Sequence, residues 1–229
     1  MTAEWETARF VARDNRFVVR ACREDGEEVR AHLPNTARLT DVLVPGAPLV
    51  LQPTDAPHRR TRWSVTRVWD GTWVALAAGV ANDLVAGHLL AGGSITGWPT
   101  PTAVRREVTR DGHRFDFEVD RADGMTAVVE VKSLSRARDG VAPLSGTPSS
   151  RGVAHLGTLG ALAAAGVPTA VVFVVQRADA EVLDLGAPAD AAWVTAVRGA
   201  IAAGVDVLAH RCDVGPDHLA LGPSIPVRS

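Results

Sequence analysis

His113-Arg114-Phe115-Asp116-Phe117-Glu118-Val119-Asp120 and, after a short gap, Ala127-Val128-Val129-Glu130-Val131-Lys132 read as two strands joined by a turn at Asp123-Gly124. Side chains alternate along a strand with period two. Phe115, Phe117 and Val119 are therefore expected on one face and Asp116 and Glu118 on the other. On the second arm, Val129 and Val131 separate in the same way from Glu130 and Lys132. With residues 121–125 as the loop, Asp116 falls opposite Glu130, and two carboxylates and an ammonium converge on one side of the hairpin.

Lys132 is the single lysine in the chain, set among twenty-three arginines. An ammonium is a compact point charge able to approach a water or a phosphate oxygen, whereas a guanidinium is a broad fork whose pKa is too high for proton traffic. Retaining lysine here points to lysine chemistry. Paired carboxylates suit Mg²⁺ or Mn²⁺, which prefer oxygen ligands and keep waters for reaction. A water deprotonated near Lys132 would attack phosphorus, with the metal stabilising the added charge. The same Asp, Glu and Lys also fit a solvated strand face carrying a cross-strand ion pair.

Outward from the hairpin, the C-terminal side predicts a loop with Pro143, Gly146 and Pro148, a helix over 152–165, a strand over 169–176, a helix over 190–203 and a strand over 205–209. On the N-terminal side stand a strand over 105–110, a loop with Pro99 and Pro101, and a helix over 81–91 stopped by Gly92-Gly93. This alternation indicates an α/β unit with a mixed sheet. Before it, short strands at 16–22, 28–32, 48–52, 62–69 and 73–78, with turns at Asp25-Gly26 and Asp70-Gly71, suggest a small barrel of the oligonucleotide-binding (OB-like) kind. The expected domains are 1–80 and 81–229.

At 229 residues, with 46% hydrophobic and 22% charged residues, the composition is that of a globular protein. Met1 to Phe10 carries charges and lacks an apolar stretch, which argues against a secretory signal and for a cytoplasmic protein. The uncharged run 152–176 is broken by Gly166-Val167-Pro168 and reads as a helix and a buried strand rather than a membrane span. Cys22 and Cys212 lie far apart, outside any metal-binding spacing, and read as reduced, inert thiols. Net charge is −2, yet residues 1–114 hold fifteen arginines against thirteen acids, so a locally positive face is compatible with the total.

Several runs together resemble the sugar fermentation stimulation protein A family. They are Val104-Arg105-Arg106-Glu107-Val108, Gly112 through Phe117, and Val129-Glu130-Val131-Lys132-Ser133, with Arg13 and Asn15-Arg16-Phe17, His32-Leu33-Pro34-Asn35-Thr36, Arg59-Arg60-Thr61, Ala81-Asn82, Arg151-Gly152, His155-Leu156, Phe173 to Gln176 and Gly204 to Ala209. The resemblance implies an OB-like domain followed by a restriction-endonuclease-like domain of the PD-(D/E)xK kind, associated with DNA binding and with DNA or RNA cleavage. Carried over by position, Asp116, Glu130 and Lys132 match the nuclease triad and Glu107 a further acid, with Asp116, Glu130 and Glu107 as metal ligands. Where the family shows Phe-Pro-Asp-Ala, this chain has Leu144-Ser145-Gly146-Thr147, and Ala37 stands where the family commonly has glycine.

Arg59, Arg60 and Arg62 beside Trp63 make a cationic run that can neutralise phosphates, or equally a charged exposed strand with Trp63 in the core. Arg13 and Arg16 join them as expected nucleic-acid contacts. Arg151 and His155, one turn apart at the start of a helix, fit either phosphate binding or solvated capping. His32, Asn35 and Thr36 are expected to line a polar pocket, although Pro-Asn-Thr is also an ordinary Asx turn. The function expected is a metal-dependent phosphodiesterase on DNA or RNA, with no membrane, no partner protein identifiable from the sequence and the oligomeric state open. Its alternative is a DNA-binding regulator that keeps a nuclease-like fold without cleavage.

Overall fold

The computed structural model describes residues 5–54, 61–95, 97–144, 150–186 and 191–228. The first half is built from β1 (Glu6–Asn15), β2 (Val18–Arg23), β3 (Glu28–His32), β4 (Pro48–Pro53), β5 (Trp63–Trp69) and β6 (Trp73–Ala75). The sheet runs β3-β2-β1-β4-β5-β6, and a parallel pairing of β3 with β5 closes it into a five-stranded OB barrel. Closure removes the free edges that an open sheet of short strands would leave. Its core is Ala, Val and Leu around Phe10, with Val19, Leu33, Leu49, Leu51, Val65 and Val68 fully buried.

Two strand expectations change. The run 73–78 is not the fifth barrel strand: only Trp73–Ala75 is extended, and it flanks β5 outside the closure. The missing strand is β1, between β2 and β4, in which polar and charged residues outnumber apolar ones and only Ala8 and Phe10 are buried.

The second half contains α1 (Val80–Leu90), β7 (Pro101–Arg110), β8 (His113–Arg121), β9 (Thr126–Leu134), β10 (Val141–Pro143), α2 (Ser150–Ala164), β11 (Thr169–Val175), β12 (Val182–Asp184), α3 (Ala191–Ala202), β13 (Asp206–Val214), β14 (Leu219–Ile225) and β15 (Val227–Arg228). The main sheet is mixed, in the order β14-β13-β11-β9-β8-β7, with β9, β11 and β13 parallel. A small parallel sheet, β10-β12-β15, stands apart. α1 covers one face through Ala81, Val85, Ala86 and Leu89, while α2 and α3 cover the other. β11 is buried at every position, as a strand sandwiched between two helical layers must be.

The two halves are tied together by hydrogen bonds and an ion pair. Ala75 N–H donates to the Gln176 carbonyl at 2.9 Å, the Gln176 amide donates to the Ala77 carbonyl at 2.9 Å, and buried Arg177 reaches Asp70 at 3.0 Å. Among the described residues no helix is long and apolar enough to cross a membrane. Cys212 is buried and its thiol is pushed up to about 12 by burial, so it stays protonated.

Candidate active site

A defect in the sheet creates the site. From Ala103 onward β7 and β8 keep one register, Arg106 opposite Phe117 and Val108 opposite Phe115, so Glu107 stands opposite Asp116. At that level Glu107 takes φ 56°, a left-handed conformation that costs a non-glycine residue about 1–3 kcal/mol. Asp116 turns its carboxylate towards the next strand, and Oδ2 accepts the Val131 N–H at 2.7 Å. The alternation slips as a result. Phe117 and Val119 enter the α1-side core, whereas Phe115 enters the α2-side core with Val128, so the expectation that all three share one face is corrected.

The hairpin register is as expected: Phe117 pairs with Val129 and Asp120 with Thr126, which one step further sets Asp116 beside Glu130. Gly124 takes φ 81° in the connecting turn, where a side chain would be strained. Glu130 lies on the α2 side of β9 and is 3% exposed. Its Oε1 accepts from Lys132 Nζ and from His155 Nδ1 at 2.8 Å. His155 sits on the buried stripe of α2 with Gly152, Leu156, Leu159 and Gly160, at the i, i+3, i+4 spacing of a helix face. Arg151 Nε donates to His155 Nε2 at 3.3 Å. Arginine can only donate, so that contact makes Nε2 the acceptor and leaves Nδ1–H to donate to Glu130. Glu130 Oε2, by contrast, is buried with no hydrogen-bond partner.

Asp116 is half-buried, and its pKa is raised, first by burial and then by the negative charge of Glu130. Asn82 Nδ2 donates to Asp116 Oδ1 at 2.6 Å from the first turn of α1. Glu107, exposed at the rim, is paired with Arg114 at 2.8 Å. These groups and Arg151 line a cleft of about 340 Å³ whose floor is the Glu130–Lys132 segment. Among the described residues no three His, Cys, Asp or Glu side chains already form a closed metal cage. The donor set nevertheless fits a hard divalent cation, because Mg²⁺ takes one or two carboxylates and keeps waters, and Glu130 Oε2 lacks a partner.

Other expected residues are placed differently. All five N–H groups of Arg13 are spent on the carbonyls of Asn15, Arg16, Asn35, Ala37 and Arg38, at 2.6–3.2 Å, leaving none for a phosphate. His155 is buried beneath Arg151 and touches Glu130 rather than solvent. Asn35 is a buried staple whose Nδ2 donates to the Leu76 carbonyl at 2.7 Å and whose Oδ1 accepts Ala37 N–H at 2.8 Å. His32 and Thr36 lie on the barrel, and none of the three lines the cleft. Arg16, Arg62 and Arg151 are exposed. Arg59, Arg60 and most of the 144–147 stretch lie outside the described residues. Two site residues escape the sequence reading of chemistry: Asn82, whose one signal is the Ala81-Asn82 pair, and Arg114, which precedes Phe115 in the hairpin run.

Residues 79–218 match the family model described as the sugar fermentation stimulation protein RE domain, and residues 11–76 match the SfsA N-terminal OB domain. A sugar fermentation stimulation protein homolog from Chloroflexus aurantiacus is 37% identical over 96% of this chain and 84% of that protein. One from Moorella thermoacetica is 35% identical over 96% of this chain and 95% of that protein. The structure of Pyrococcus furiosus SfsA in complex with Ca²⁺ superposes with a TM-score of 0.81 at 22% identity, covering 99% of this chain and 96% of that one.

Proposed function

The chain belongs to the sugar fermentation stimulation protein family, and from the cleft of its second domain we propose that it is a metal-dependent phosphodiesterase acting on DNA or RNA. The observation that carries this reading is Glu130 Oε2, a buried carboxylate oxygen without a partner, beside a second carboxylate at Asp116. A buried carboxylate oxygen left without a donor is costly to keep, and two carboxylates side by side are favoured where a cation completes them.

Asp116 and Glu130 would hold Mg²⁺ or Mn²⁺, with Glu107 as a third carboxylate at the rim. Such an ion supplies an acidified water and neutralises charge on the phosphoryl oxygens. Asn82 and the Val131 N–H fix the Asp116 carboxylate, and His155 fixes Glu130. Lys132 Nζ, tethered to Glu130, would orient the attacking water by donating to its oxygen, or would donate to a phosphate oxygen. Arg114 and Arg151 at the rim offer cationic contacts to the backbone of the substrate.

Labelled single- and double-stranded DNA and RNA, incubated with Mg²⁺ or Mn²⁺ against an EDTA control, test the reading. Products that require metal, and that Asp116→Asn abolishes, support it. The second reading is a DNA-binding regulator without cleavage, favoured by the Glu107–Arg114 pair and by the lack of a closed metal cage among the described residues. Its signature is binding without product in either metal.

A further inference from the structure

Phe17 is 46% exposed at the tip of the β1–β2 turn, and its ring lies near-parallel to that of His32, with centroids 6.3 Å apart and planes 21° from each other. A single exposed aromatic is ordinary on a protein surface. This one is held unusually firmly. Asn15 Oδ1 accepts Phe17 N–H at 2.9 Å, the Phe17 carbonyl accepts Leu33 N–H at 2.8 Å, and the Arg13 guanidinium ties the Arg16 carbonyl to those of Asn35, Ala37 and Arg38. With the further bond from Arg13 to the Asn15 carbonyl, five charge-assisted hydrogen bonds join this turn to the 35–38 loop and present its one aromatic side chain to solvent. Rigid presentation of a flat apolar face lowers the ordering cost of stacking a flat ligand on it.

The surroundings are cationic. Arg16 adjoins Phe17 and Arg38 lies on the clamped loop; both are exposed, and among the described residues neither is ion-paired. The same loop reaches the cleft. Ala78 N–H donates to the Pro34 carbonyl at 3.1 Å, Asn35 holds the Leu76 carbonyl, and Ala78 is part of the cleft wall. An exposed ring pair with unpaired arginines beside it, on a loop hydrogen-bonded to the wall of the cleft, matches a chain of bases and phosphates leading to that cleft.

We propose that Phe17 and His32 form a stacking platform for an unpaired nucleobase, so that the barrel delivers single-stranded nucleic acid to the cleft. The proposal rests on the phosphodiesterase reading and narrows its substrate class. Bases stack on aromatic faces irrespective of sequence, whereas paired bases in a duplex present no free face. Arg13 is a positioning residue here, holding the turn rather than touching the ligand.

The test is fluorescence anisotropy of full-length protein in EDTA, with labelled oligo-dT, oligo-rU and a duplex of equal length. Phe17→Ala should weaken single-strand binding roughly tenfold or more while Phe17→Trp retains it, and duplex binding should not change. Preference between the dT and rU arms tells DNA from RNA. Unaltered single-strand affinity in Phe17→Ala overturns the platform, as does a wild type that binds no single strand. Parallel cleavage assays keep the two proposals apart. If Asp116→Asn abolishes cleavage but Phe17→Ala binds normally, the platform fails and the hydrolase stands. If the wild type cleaves nothing but Phe17→Ala loses single-strand binding, the platform stands and the hydrolase fails.

Discussion

Asp116 and Glu118 lie two residues apart on β8, both removed from bulk water, and their surroundings treat them oppositely. Burial alone would raise the Glu118 pKa, but Arg110 and Arg105 outweigh it and hold the carboxylate below its ordinary range. Arg105 reaches Oε1 at 2.7 Å and Arg110 Nε reaches Oε2 at 2.7 Å. Asp116 receives two neutral N–H donors and the field of Lys132, but burial and the negative charge of Glu130 outweigh them, so its pKa is raised. One carboxylate is complete and structural; the other belongs to a pair short of positive charge. Burial therefore does not distinguish a functional acid from a structural one, whereas the balance of partners around it does.

The largest effect separating the two should be on cleavage. Asp116→Asn is expected to lower the rate by on the order of 10³, the upper scale for losing one positioned electrostatic group, while Glu118→Gln stays within about a few-fold of wild type. Single-turnover assays with Mn²⁺ measure both. Equal losses would make the distinction between the two acids meaningless.

Next in size is Lys132→Arg, which keeps the charge beside Glu130 and removes the compact ammonium. Cleavage should fall by on the order of 10², with nucleic-acid affinity nearly unchanged. An arginine variant as fast as wild type would remove Lys132 from the chemistry and leave it as a counter-charge, which is the role the arginines have at Glu118.

A smaller effect is expected on stability. Glu118→Gln leaves two half-exposed arginines without their shared partner, and after allowing for solvent screening the cost is about 1–2 kcal/mol, or roughly 2–8 °C in Tm. Calorimetry in EDTA reads it directly, and a variant as stable as wild type would show that the Glu118 pairs contribute nothing.

How much of this contrast was legible beforehand depends on whether its cause is local. The hairpin and its register follow from the period-two alternation and from Asp123-Gly124, and Lys132 stands out by composition alone. β1 is hidden because a barrel strand with two buried residues, Ala8 and Phe10, carries almost no apolar signal. The left-handed Glu107 is equally invisible, since no glycine marks it and the neighbouring strands impose it. Arg13 looks like any surface cation until the 35–38 loop, distant in sequence, folds over its guanidinium. His155 reads as a helix-start residue because nothing in the sequence tells which side of α2 faces β9.

The smallest effect, and the one that tests the electrostatic contrast most directly, is the pH dependence of stability. Because the folded pKa of Asp116 is raised, folding favours its protonated form; the associated stability is present below the unfolded pKa, about 3.9, and is lost as pH rises through the folded value. Asp116→Asn removes that loss. The variant should be more stable than wild type near neutral pH, a gain of the kind seen when functional strain is relieved, and the gain should vanish in acid. Glu118 has the opposite sign: its lowered folded pKa contributes stability above the unfolded value, about 4.3, which disappears as pH falls through the folded one. The Glu118→Gln deficit should therefore be full at neutral pH and close in acid, so that the two variants approach wild type from opposite sides. Thermal scans in EDTA between about pH 3 and pH 8 measure this. Adding Mn²⁺ at neutral pH should then stabilise wild type and Glu118→Gln but not Asp116→Asn. Stability shifts of the same sign in the two variants, or a Mn²⁺ response that survives in Asp116→Asn, would mean that Asp116 is as fully partnered as Glu118.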